Sequence, residues 1–258
     1  AAGWNAPGVI TAIRDCPGRL THLNLKSTQV VGAAAEQLAA VLGECTLSQL
    51  LLAGNNVAGH AGPVGEGLAR CRGLTYLDLR LNGLNDPQAV AHVAAGIARC
   101  QGLKRLDFGR NRLGAEGMRR FAVAITSCAH LTSLELGESR LGPEEAHVLA
   151  GALRHRPGLT HLDLRRNKLG DEGAASLAAA VPLLTALRTL VLYLNDIGHD
   201  GAWRLASELK RSPALTSLDL RNQFPMPTSD WEALEGVFGH LELFLVRPHS
   251  GPIPNDTI

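Results

Sequence analysis

The sequence predicts an α/β solenoid, in which one parallel β-sheet is covered on one side by helices. Two observations lead to this prediction. An eleven-residue leucine pattern, L-x-x-L-x-L-x-x-N-x-L, recurs along the chain at a nearly constant period. Each copy then changes from alternating leucines to apolar residues at helical spacing. Since such a unit cannot bury its apolar side alone, the units must stack, with the strands side by side.

The pattern occurs eight times in the 258 residues, at intervals of 27 to 29 residues. The clearest copies are segments 74–84 (LTYLDLRLNGL) and 159–169 (LTHLDLRRNKL). A period this regular indicates repeated structural units. The first residues of the copies are Leu20, Leu47, Leu74, Leu103, Leu131, Leu159, Leu187 and Leu215.

Each copy contains a strand followed by a helix. Leu162 and Leu164 alternate with polar residues, which is the period of a short strand with one buried face. The next segment, 170–181 (GDEGAASLAAAV), has apolar residues at helical spacing and acidic residues at its start, where the helix dipole favours them. In the third copy, Asp86 followed by Pro87 indicates an N-cap and a first helical residue.

The ninth pattern position is Asn in five copies, and it marks the point where the chain leaves the strand. An amide carries a donor and an acceptor, so it can satisfy the backbone groups of a buried turn. We therefore interpret these asparagines as structural. Ser139 holds the same position in the fifth copy, and its turn is expected to be looser. The five residues are Asn55, Asn82, Asn111, Asn167 and Asn195.

The 28-residue period, with G-x-x-G-A-x-x-L-A after the strand, resembles the ribonuclease-inhibitor class of leucine-rich repeats. That class includes repeat regions of cytoplasmic immune receptors and Ran GTPase-activating proteins. The resemblance covers roughly residues 9–225 and implies a horseshoe whose concave sheet holds other proteins. The ribonuclease inhibitors that this chain resembles are richer in cysteine and more acidic, which argues against ribonuclease inhibition itself.

The chain divides into three parts in this interpretation. Residues 1–19 form a partial N-terminal repeat or cap, 20–225 form eight repeats, and 226–258 form a C-terminal cap and tail. Within the last part, Ser229 or Asp230 is expected to cap a helix that runs through Leu234 to Phe238, followed by a strand at 241–246. The missing initiator Met indicates a processed form or a piece of a longer chain.

The composition excludes several classes of protein. Hydrophobic residues make up 45% and charged residues 19%, as in a soluble protein with a packed core. With a formal net charge of +1, the whole molecule has little field to attract nucleic acid or membrane. The longest apolar stretch, 174–187, is too mixed for a transmembrane helix, and no secretory signal is visible.

The five cysteines indicate an intracellular protein. Each lies two to four residues before the first leucine of a copy, where a small buried hydrophobe suits the joint between helix and strand. Their odd number and the absence of C-x-x-C argue against a disulfide framework or a metal site. We therefore expect a reducing, cytoplasmic location. The cysteines are Cys16, Cys45, Cys71, Cys100 and Cys128.

No catalytic pattern is found in the sequence. The ten histidines lack metal-binding spacing, and no phosphate-binding loop, nucleophile elbow or dinucleotide fingerprint is present. We predict a non-enzymatic chain without cofactor, metal or small-molecule substrate.

Strand alternation places pattern positions three, five and seven on the concave face, with positions eight and ten at its edge. Position five gives an acidic row that includes Asp78, Asp107, Glu135 and Asp163. Where Arg follows two residues later, as at Arg165, exposed ion pairs that keep the face soluble are one interpretation. At Asp107 and Glu135 the basic residue is replaced by glycine, which predicts an acidic notch for a partner's Lys or Arg, unless Arg105 neutralises it.

Aromatic and apolar residues give the second candidate contact. Tyr76 and Tyr193 are the only tyrosines, and both fall on concave positions. Apolar residues accompany each of them. Trp203 is expected on the outside of the seventh helix, as a convex contact or packed against a neighbouring helix. The apolar residues are Leu51 and Leu81 near the first tyrosine, and Val191 and Leu194 near the second.

Basic residues at the loop edge give a third candidate contact, for an acidic partner, although a solvated edge explains them as well. They are Arg110, Arg112, Arg140, Arg166 and Lys168.

These features predict a protein-binding module or scaffold subunit that binds its partner mainly through the concave face, and that binds neither nucleic acid nor membrane. The alternatives are a GTPase-activating protein of the Ran type, with Arg110, Asn111 or Arg112 at the nucleotide, and a purely structural subunit of a large assembly. The acidic tail expected of the Ran type does not follow residue 225.

Overall fold

A computed structural model describes residues 8, 10, 20–212, 214–221, 223, 228–237 and 242–244. Its strands form one parallel sheet whose spatial order is the chain order. The leucine at pattern position four pairs with its counterpart on the next strand throughout, from Leu23 opposite Leu50 to Leu190 opposite Leu218. The strands are β1 (His22–Asn24), β2 (Gln49–Leu51), β3 (Tyr76–Asp78), β4 (Arg105–Asp107), β5 (Ser133–Glu135), β6 (His161–Asp163), β7 (Thr189–Val191), β8 (Ser217–Asp219) and β9 (Glu242–Phe244).

A helix connects each strand to the next, as the change in periodicity predicts. Each helix from α1 to α7 packs against its neighbours in the series, and the leucines of strands and helices meet in one continuous core. Short 3-10 turns precede α2 at Val57–His60 and follow α6 at Val181–Leu183. The helices are α1 (Ala33–Leu42), α2 (Ala61–Arg70), α3 (Pro87–Ile97), α4 (Gly114–Ser127), α5 (Pro143–Leu153), α6 (Gly170–Ala180), α7 (His199–Leu209) and α8 (Thr228–Val237).

Two aspartates cap the N-termini of helices. The predicted cap at Asp86 is confirmed, because its carboxylate accepts a hydrogen bond from Ala89 N at 2.8 Å and Pro87 begins α3. Asp171 serves the following repeat. Its Oδ1 accepts from Gly198 N at 2.7 Å and from Gly201 N at 3.1 Å, so a residue of α6 caps α7.

The structural role of the asparagines at position nine is confirmed. Asn167 Nδ2 donates to the carbonyls of Leu136 and Leu164, at 3.0 and 2.7 Å. Its Oδ1 accepts from the backbone of Ser139 and Leu141 in the preceding repeat, at 3.0 and 3.1 Å. Asn55, Asn82 and Asn111 repeat this arrangement. At Ser139 the hydroxyl only donates to Gly137 O at 3.3 Å, so it supplies no such link between repeats.

The cysteines occupy the predicted joint. Cys71, Cys100 and Cys128 are buried, and their thiols lie 3.3 to 3.5 Å from carbonyls of the preceding repeat. Burial raises the pKa of Cys71 and Cys100 to about 12, so these thiols stay protonated and unreactive at neutral pH. Cys45 is half-buried, and Cys16 lies outside the described residues.

The C-terminal part continues the solenoid. Helix α8 starts at Thr228, so the prediction that Ser229 or Asp230 caps it is wrong, because both lie inside its first turn. Leu234 is buried in the core, and Phe238 lies outside the described residues. Strand β9 falls within the predicted strand 241–246 and pairs with β8.

Of the N-terminal part, 1–19, only Gly8 and Ile10 are described, and Ile10 is buried in the core. The rest of the predicted partial repeat lies outside the described residues, and the three-part division of the chain stays a prediction. Among the described helices, none combines the length and the apolarity that a membrane crossing requires.

Candidate protein-binding surface

The concave face is built from pattern positions three, five and seven. The leucine at position four of each strand is buried beneath the sheet, so its neighbours at three and five point to the opposite side. Positions three and seven carry the side chains that reach solvent, such as Tyr76 and Arg80.

The acidic row on this face is buried, which corrects its interpretation as a set of exposed contacts. The side chains of Asp78 and Asp107 are 0% and 2% exposed. Asp163 and Asp219 are also buried, and Glu135 is half-buried. Asp78 and Asp107 therefore offer no accessible carboxylate, because the longer side chains at position seven cover them.

A backbone hydrogen bond explains why aspartate recurs at position five. Asp78 Oδ1 accepts from Arg80 N at 3.1 Å, and Asp107 Oδ1 accepts from Gly109 N at 3.1 Å. Asp163 and Asp219 make the same bond to the residue two positions on, at 2.9 and 3.1 Å. Such bonds are typical of Asp where a strand turns. The acidic row is thus a structural feature that the repeat requires.

The predicted pairs two residues apart are present and extend between repeats. Arg80 binds Asp78 at 3.0 Å and also reaches Asp107 on the next strand at 2.9 Å. Lys26 reaches Asp78 from β1 at 2.9 Å. Two further pairs are Arg165 with Asp163 at 3.2 Å and Arg221 with Asp219 at 2.7 Å. Each buried carboxylate is therefore covered by a half-exposed cation.

At the predicted acidic notch, the alternative of internal neutralisation is observed. Arg105 donates to Glu135 Oε1, with a shortest distance of 2.6 Å. The close approach at the two glycines is also within the chain, since a Cβ on Gly109 would lie 2.9 Å from Gly137 O, and one on Gly137 would lie 3.0 Å from Arg165 Cγ. These glycines are explained by strand packing, so they give no support to a notch that admits a partner's cation.

The pKa values of three aspartates on this face are shifted by burial and by their neighbours. Desolvation and the neighbouring Glu135 raise the pKa of Asp107 to about 7, against the hydrogen bond from Gly109 and the charge of Arg80. Burial also raises the pKa of Asp163. At Asp78 burial acts in the same direction, but hydrogen bonds from Arg80 and Lys26 outweigh it and lower the pKa.

A shallow groove of about 470 Å³ runs along this face toward the loop edge. Its walls are the position-seven and position-eight residues of the first six repeats, including Lys26, Leu81, Arg110 and Arg165. The groove floor holds Asp107, Glu135 and Asp163. A molecule in the groove would meet guanidinium groups, aliphatic chains and the partly exposed carboxylate of Glu138, which is paired with Arg110.

Both tyrosines are half-buried on the concave face and have cations over their rings. Arg105 Cζ lies 4.9 Å from the centre of the Tyr76 ring. Arg166 and Arg221 lie 5.6 and 5.5 Å from the centre of the Tyr193 ring. These cation–π contacts hold each ring in place on a strand or at its end. The result is two rigid aromatic patches with cationic borders.

The residues at position eight are held in the left-handed backbone conformation. Leu81, Arg110, Arg166 and Leu194 have φ between 52° and 56°, a region that costs a side-chain-bearing residue about 1–2 kcal/mol. Leu81 is also 55% exposed. Gly54 holds the same position in the second repeat, so a side chain is not required by the fold. The leucines and arginines here therefore point to a use at the surface.

Two of the three residues predicted at a nucleotide have partners within the chain. Arg110 is paired with Glu138 at 3.0 Å, and Asn111 is buried, with its amide committed to backbone groups. Arg112, Arg140 and Lys168 are exposed, and in the described part of the chain they have no ion pair. Asn111 thus belongs to the structural series of asparagines, and the Ran-type alternative, with Arg110 or Arg112 at the nucleotide, stays a prediction.

The predicted contact residues fall into three places. Leu51, Tyr76 and Leu81 lie in the first half of the concave face, and Val191, Tyr193 and Leu194 lie in the second half. Since four strand spacings separate β3 from β7, the two tyrosines are about 19 Å apart along the sheet. Trp203 lies on α7, half-buried against the core and 6.1 Å from the His199 ring.

The sequence did not predict that arginine and lysine side chains cover the acidic row, or that cations lie over the tyrosine rings. The Asp-x-Arg spacing could have indicated that arginines cover the aspartates. The pairing of Tyr76 with Arg105 on the next strand could have indicated the cation over the first tyrosine ring.

The family model described as "Leucine Rich repeat" matches residues 70–89, 99–122 and 158–178. No curated protein matches the sequence. Among solved structures, the chain is similar to actin-binding site 2 of leiomodin-1, with 16% identity, 57% of this chain and 86% of that chain covered, and a TM-score of 0.49. It is also similar to the tropomodulin C-terminal domain of Caenorhabditis elegans, with 13% identity, 60% and 92% coverage, and a TM-score of 0.48. With the eight-fold pattern and the single parallel sheet, the family matches identify the fold as a leucine-rich-repeat α/β solenoid.

Proposed function

We propose that this protein is a non-enzymatic binding module or scaffold subunit that holds a protein partner on its concave face. The observation that carries the proposal is the pair of half-buried tyrosines, each fixed by a cation on a rigid sheet. Tyrosine and arginine are the side chains that most often dominate binding energy at protein interfaces. Because the sheet is continuous and parallel, a partner can contact both patches without a change in the chain.

The distribution of charge favours a partner that presents carboxylates and apolar groups. The carboxylates of the concave face lie beneath Lys26, Arg80, Arg165 and Arg221, so solvent meets mostly cations and phenol rings. The exposed Leu81 and the half-exposed Leu194 add apolar contacts at the edge. We therefore place the contact on Tyr76, Leu81, Arg110 and Arg165 in one half, and on Val191, Tyr193 and Leu194 in the other.

We also propose that the repeats are of the ribonuclease-inhibitor class, which the period of 27 to 29 residues and the full helix in each repeat support. A cytoplasmic location is proposed with it. The buried, protonated thiols, which serve as small core residues, are compatible with that location.

The test compares the parent chain with a Tyr76→Ala, Tyr193→Ala double variant as affinity baits in lysate from the source. We expect at least one protein to be retained by the parent and lost by the double variant, because the two anchors are removed. Quantitative mass spectrometry of the retained proteins measures the loss. Isothermal titration with the purified partner then gives the change in Kd.

Trp203→Ala is the matched control, because it removes an aromatic side chain from α7 on the opposite side of the sheet. Circular dichroism must show that all variants are folded. Equal retention by the parent and the double variant would contradict the proposal. Loss by the Trp203→Ala variant alone would move the contact to the convex side.

A further inference from the structure

From the end of α2 onward, the connections that lead from a helix to the next strand carry charge of one sign, whereas the first connection, 43–48, carries Glu44. From Arg70 onward they are segments 70–75, 98–104, 128–132, 154–160, 181–188 and 210–216. Together they contain nine lysines and arginines and no aspartate or glutamate. We call this set the basic edge: Arg70, Arg72, Arg99, Lys104, Arg154, Arg156, Arg188, Lys210 and Arg211.

These residues lie along one edge of the solenoid. All the strands are parallel, and a helix follows each one, so every helix-to-strand connection returns to the same edge of the sheet. The strand-to-helix connections, with Arg110 and Lys168, lie along the opposite edge. Acidic residues gather there in the first helical turns, for example Glu116, Glu144 and Asp171. The opposite edge thus carries charges of both signs, whereas the connections of the basic edge carry only positive charge.

Most of the basic edge is exposed and unpaired. All its members except Arg156 are exposed. Arg211 pairs with Glu208 at 3.1 Å, and Arg156 donates to the carbonyl of Thr126 at 3.0 Å. For the other seven residues, the described part of the chain provides no carboxylate within ion-pair distance. Exposed cations of one sign at neighbouring positions repel each other, so their repetition needs a reason.

The helix dipole explains only part of this charge. Cations near a helix C-terminus are favourable, which accounts for Arg70, Arg154 and Lys210. Lys104 and Arg188 instead directly precede strands β4 and β7, several residues beyond the last helical turn. They gain little from the dipole, because its effect falls off within one turn.

Two adjoining clefts lie at this edge. The first encloses about 770 Å³ and is lined by Cys45, Arg70, Arg72 and Arg99, with one carboxylate, Glu66. The second encloses about 510 Å³ and shares Ala69, Arg72 and Arg99 with the first. Arg72 and Arg99 therefore stand between two depressions, in which their guanidinium groups can be approached from either side.

We propose that the basic edge is a second interaction surface, which binds an extended acidic segment of a polypeptide. Seven of its nine members are arginines, and a guanidinium group binds a carboxylate through two parallel hydrogen bonds. The two clefts lie in the first part of this edge, between residues 43 and 101, and there they can admit the carboxylates of a flexible chain. This surface is separate from the concave face and does not depend on the function proposed for that face.

Other anionic partners fit these observations less well. The connections that carry the basic edge contain no phenylalanine, tyrosine or tryptophan on which the bases of a single-stranded nucleic acid could stack. A membrane surface gains about as much from lysine as from arginine, and it does not enter clefts. Arginine makes up 21 of the 25 basic residues of the chain, so its share in the basic edge does not separate these partners. The two clefts beside Arg72 and Arg99 favour discrete carboxylates.

The experiment measures the fluorescence anisotropy of a labelled oligoglutamate peptide with the full chain at low ionic strength. The test variant is Arg72→Glu, Arg99→Glu. The matched control is Arg120→Glu, Arg204→Glu, which reverses two exposed arginines on helices α4 and α7, outside the basic edge and the loop edge. We expect the parent and the control to bind the peptide and the test variant to bind it about tenfold more weakly or not at all. Thermal unfolding of each variant checks the fold.

Two arms test the assignment of the ligand. An oligoglutamine peptide of equal length should not bind. A single-stranded oligonucleotide and vesicles that contain phosphatidylserine should bind more weakly than oligoglutamate. No binding of oligoglutamate to the parent, or equal loss in test variant and control, would overturn the proposal. So would tighter binding of the oligonucleotide or the vesicles that is lost in the test variant.

Discussion

At the scale of single residues, the asparagine at position nine links each repeat to the one before it. Its amide nitrogen binds carbonyls of both repeats, and its oxygen binds two N–H groups of the preceding turn, as at Asn167. At Asn195 only the amide nitrogen makes this link, because its Oδ1 has no hydrogen-bond partner among the described residues. The fifth repeat has Ser139 here, and its hydroxyl stays within its own repeat. The junction between the fourth and fifth repeats is therefore linked less firmly than its neighbours.

Asn167→Ala should lower the free energy of unfolding by about 1–3 kcal/mol, because buried donors and acceptors lose their partner. Ser139→Asn should raise it by about 1 kcal/mol, since a new amide can reach the backbone of Asn111 and Leu113 as Asn167 reaches that of Ser139 and Leu141. Urea unfolding monitored by circular dichroism measures both changes. A Ser139→Asn variant that is less stable than the parent would show that the turn has no room for the amide.

At the scale of the strands, β3 to β6 stack four carboxylates in register, from Asp78 to Asp163. Adjacent like charges on one sheet face repel, and here they are also buried. The half-exposed cations reduce this cost, but Arg80 is shared between Asp78 and Asp107. Asp107 is therefore the member of the row whose ionisation is most costly, and burial and Glu135 raise its pKa to about 7.

This row predicts that stability depends on pH. The unfolded chain releases the Asp107 proton near pH 3.8, whereas the folded chain keeps it to about pH 7. The contribution of this group is fully present below the lower value and is lost as pH rises through the upper one. Urea unfolding should thus show a larger loss of stability from about pH 5 to about pH 8 in the parent than in Asp107→Asn, which cannot ionise.

Asp219→Asn is the control, because Asp219 makes the same turn and arginine pair but has Val191 opposite it on β7. Asp219→Asn should keep the pH dependence of the parent. If Asp107→Asn keeps it too, the stacked carboxylates of β3 to β6 do not produce it.

Strand alternation in the sequence was enough to predict which side chains share the concave face, and the arginine two residues after Asp78 was enough to predict its partner. Burial of the row could not be predicted in this way. It depends on how far a position-seven side chain reaches over the neighbouring strand, as Arg80 does toward Asp107. The role of Gly109 was likewise hidden, because the close neighbour is the backbone of the next repeat.

At the scale of the whole molecule, the solenoid has two surfaces that its composition does not reveal. A net charge of +1 predicts little long-range attraction, but five of the six helix-to-strand connections from Arg70 onward place cations at one edge. Any residue type that recurs at one position of a repeat becomes a row when the units stack, as the aspartates and the cysteines also do. A solenoid is therefore better characterised by the charge at each repeat position than by its total charge.

The same architecture predicts that damage stays local, because each helix packs only against its neighbours in the series. Helices α2 and α3 approach so closely that a Cβ on Gly65 would collide with the carbonyl oxygen of His92. Gly65→Ala should therefore cost about 1–3 kcal/mol. Gly62→Ala is the control in the same helix, since its Cβ would meet nothing within 4 Å. It should leave stability unchanged or raise it, because alanine favours the helix.

Hydrogen exchange measured by mass spectrometry locates the effect of Gly65→Ala along the chain. We expect faster exchange in peptides from β2 to α3, with peptides from β6 to α7 exchanging as in the parent, because in the described part of the chain the helices of the two regions pack against their own neighbours in the series. The Gly62→Ala variant should exchange like the parent throughout. Equal acceleration in all peptides of the Gly65→Ala variant would show that the eight repeats unfold as one cooperative unit, and that the links between repeats are stronger than nearest-neighbour packing implies.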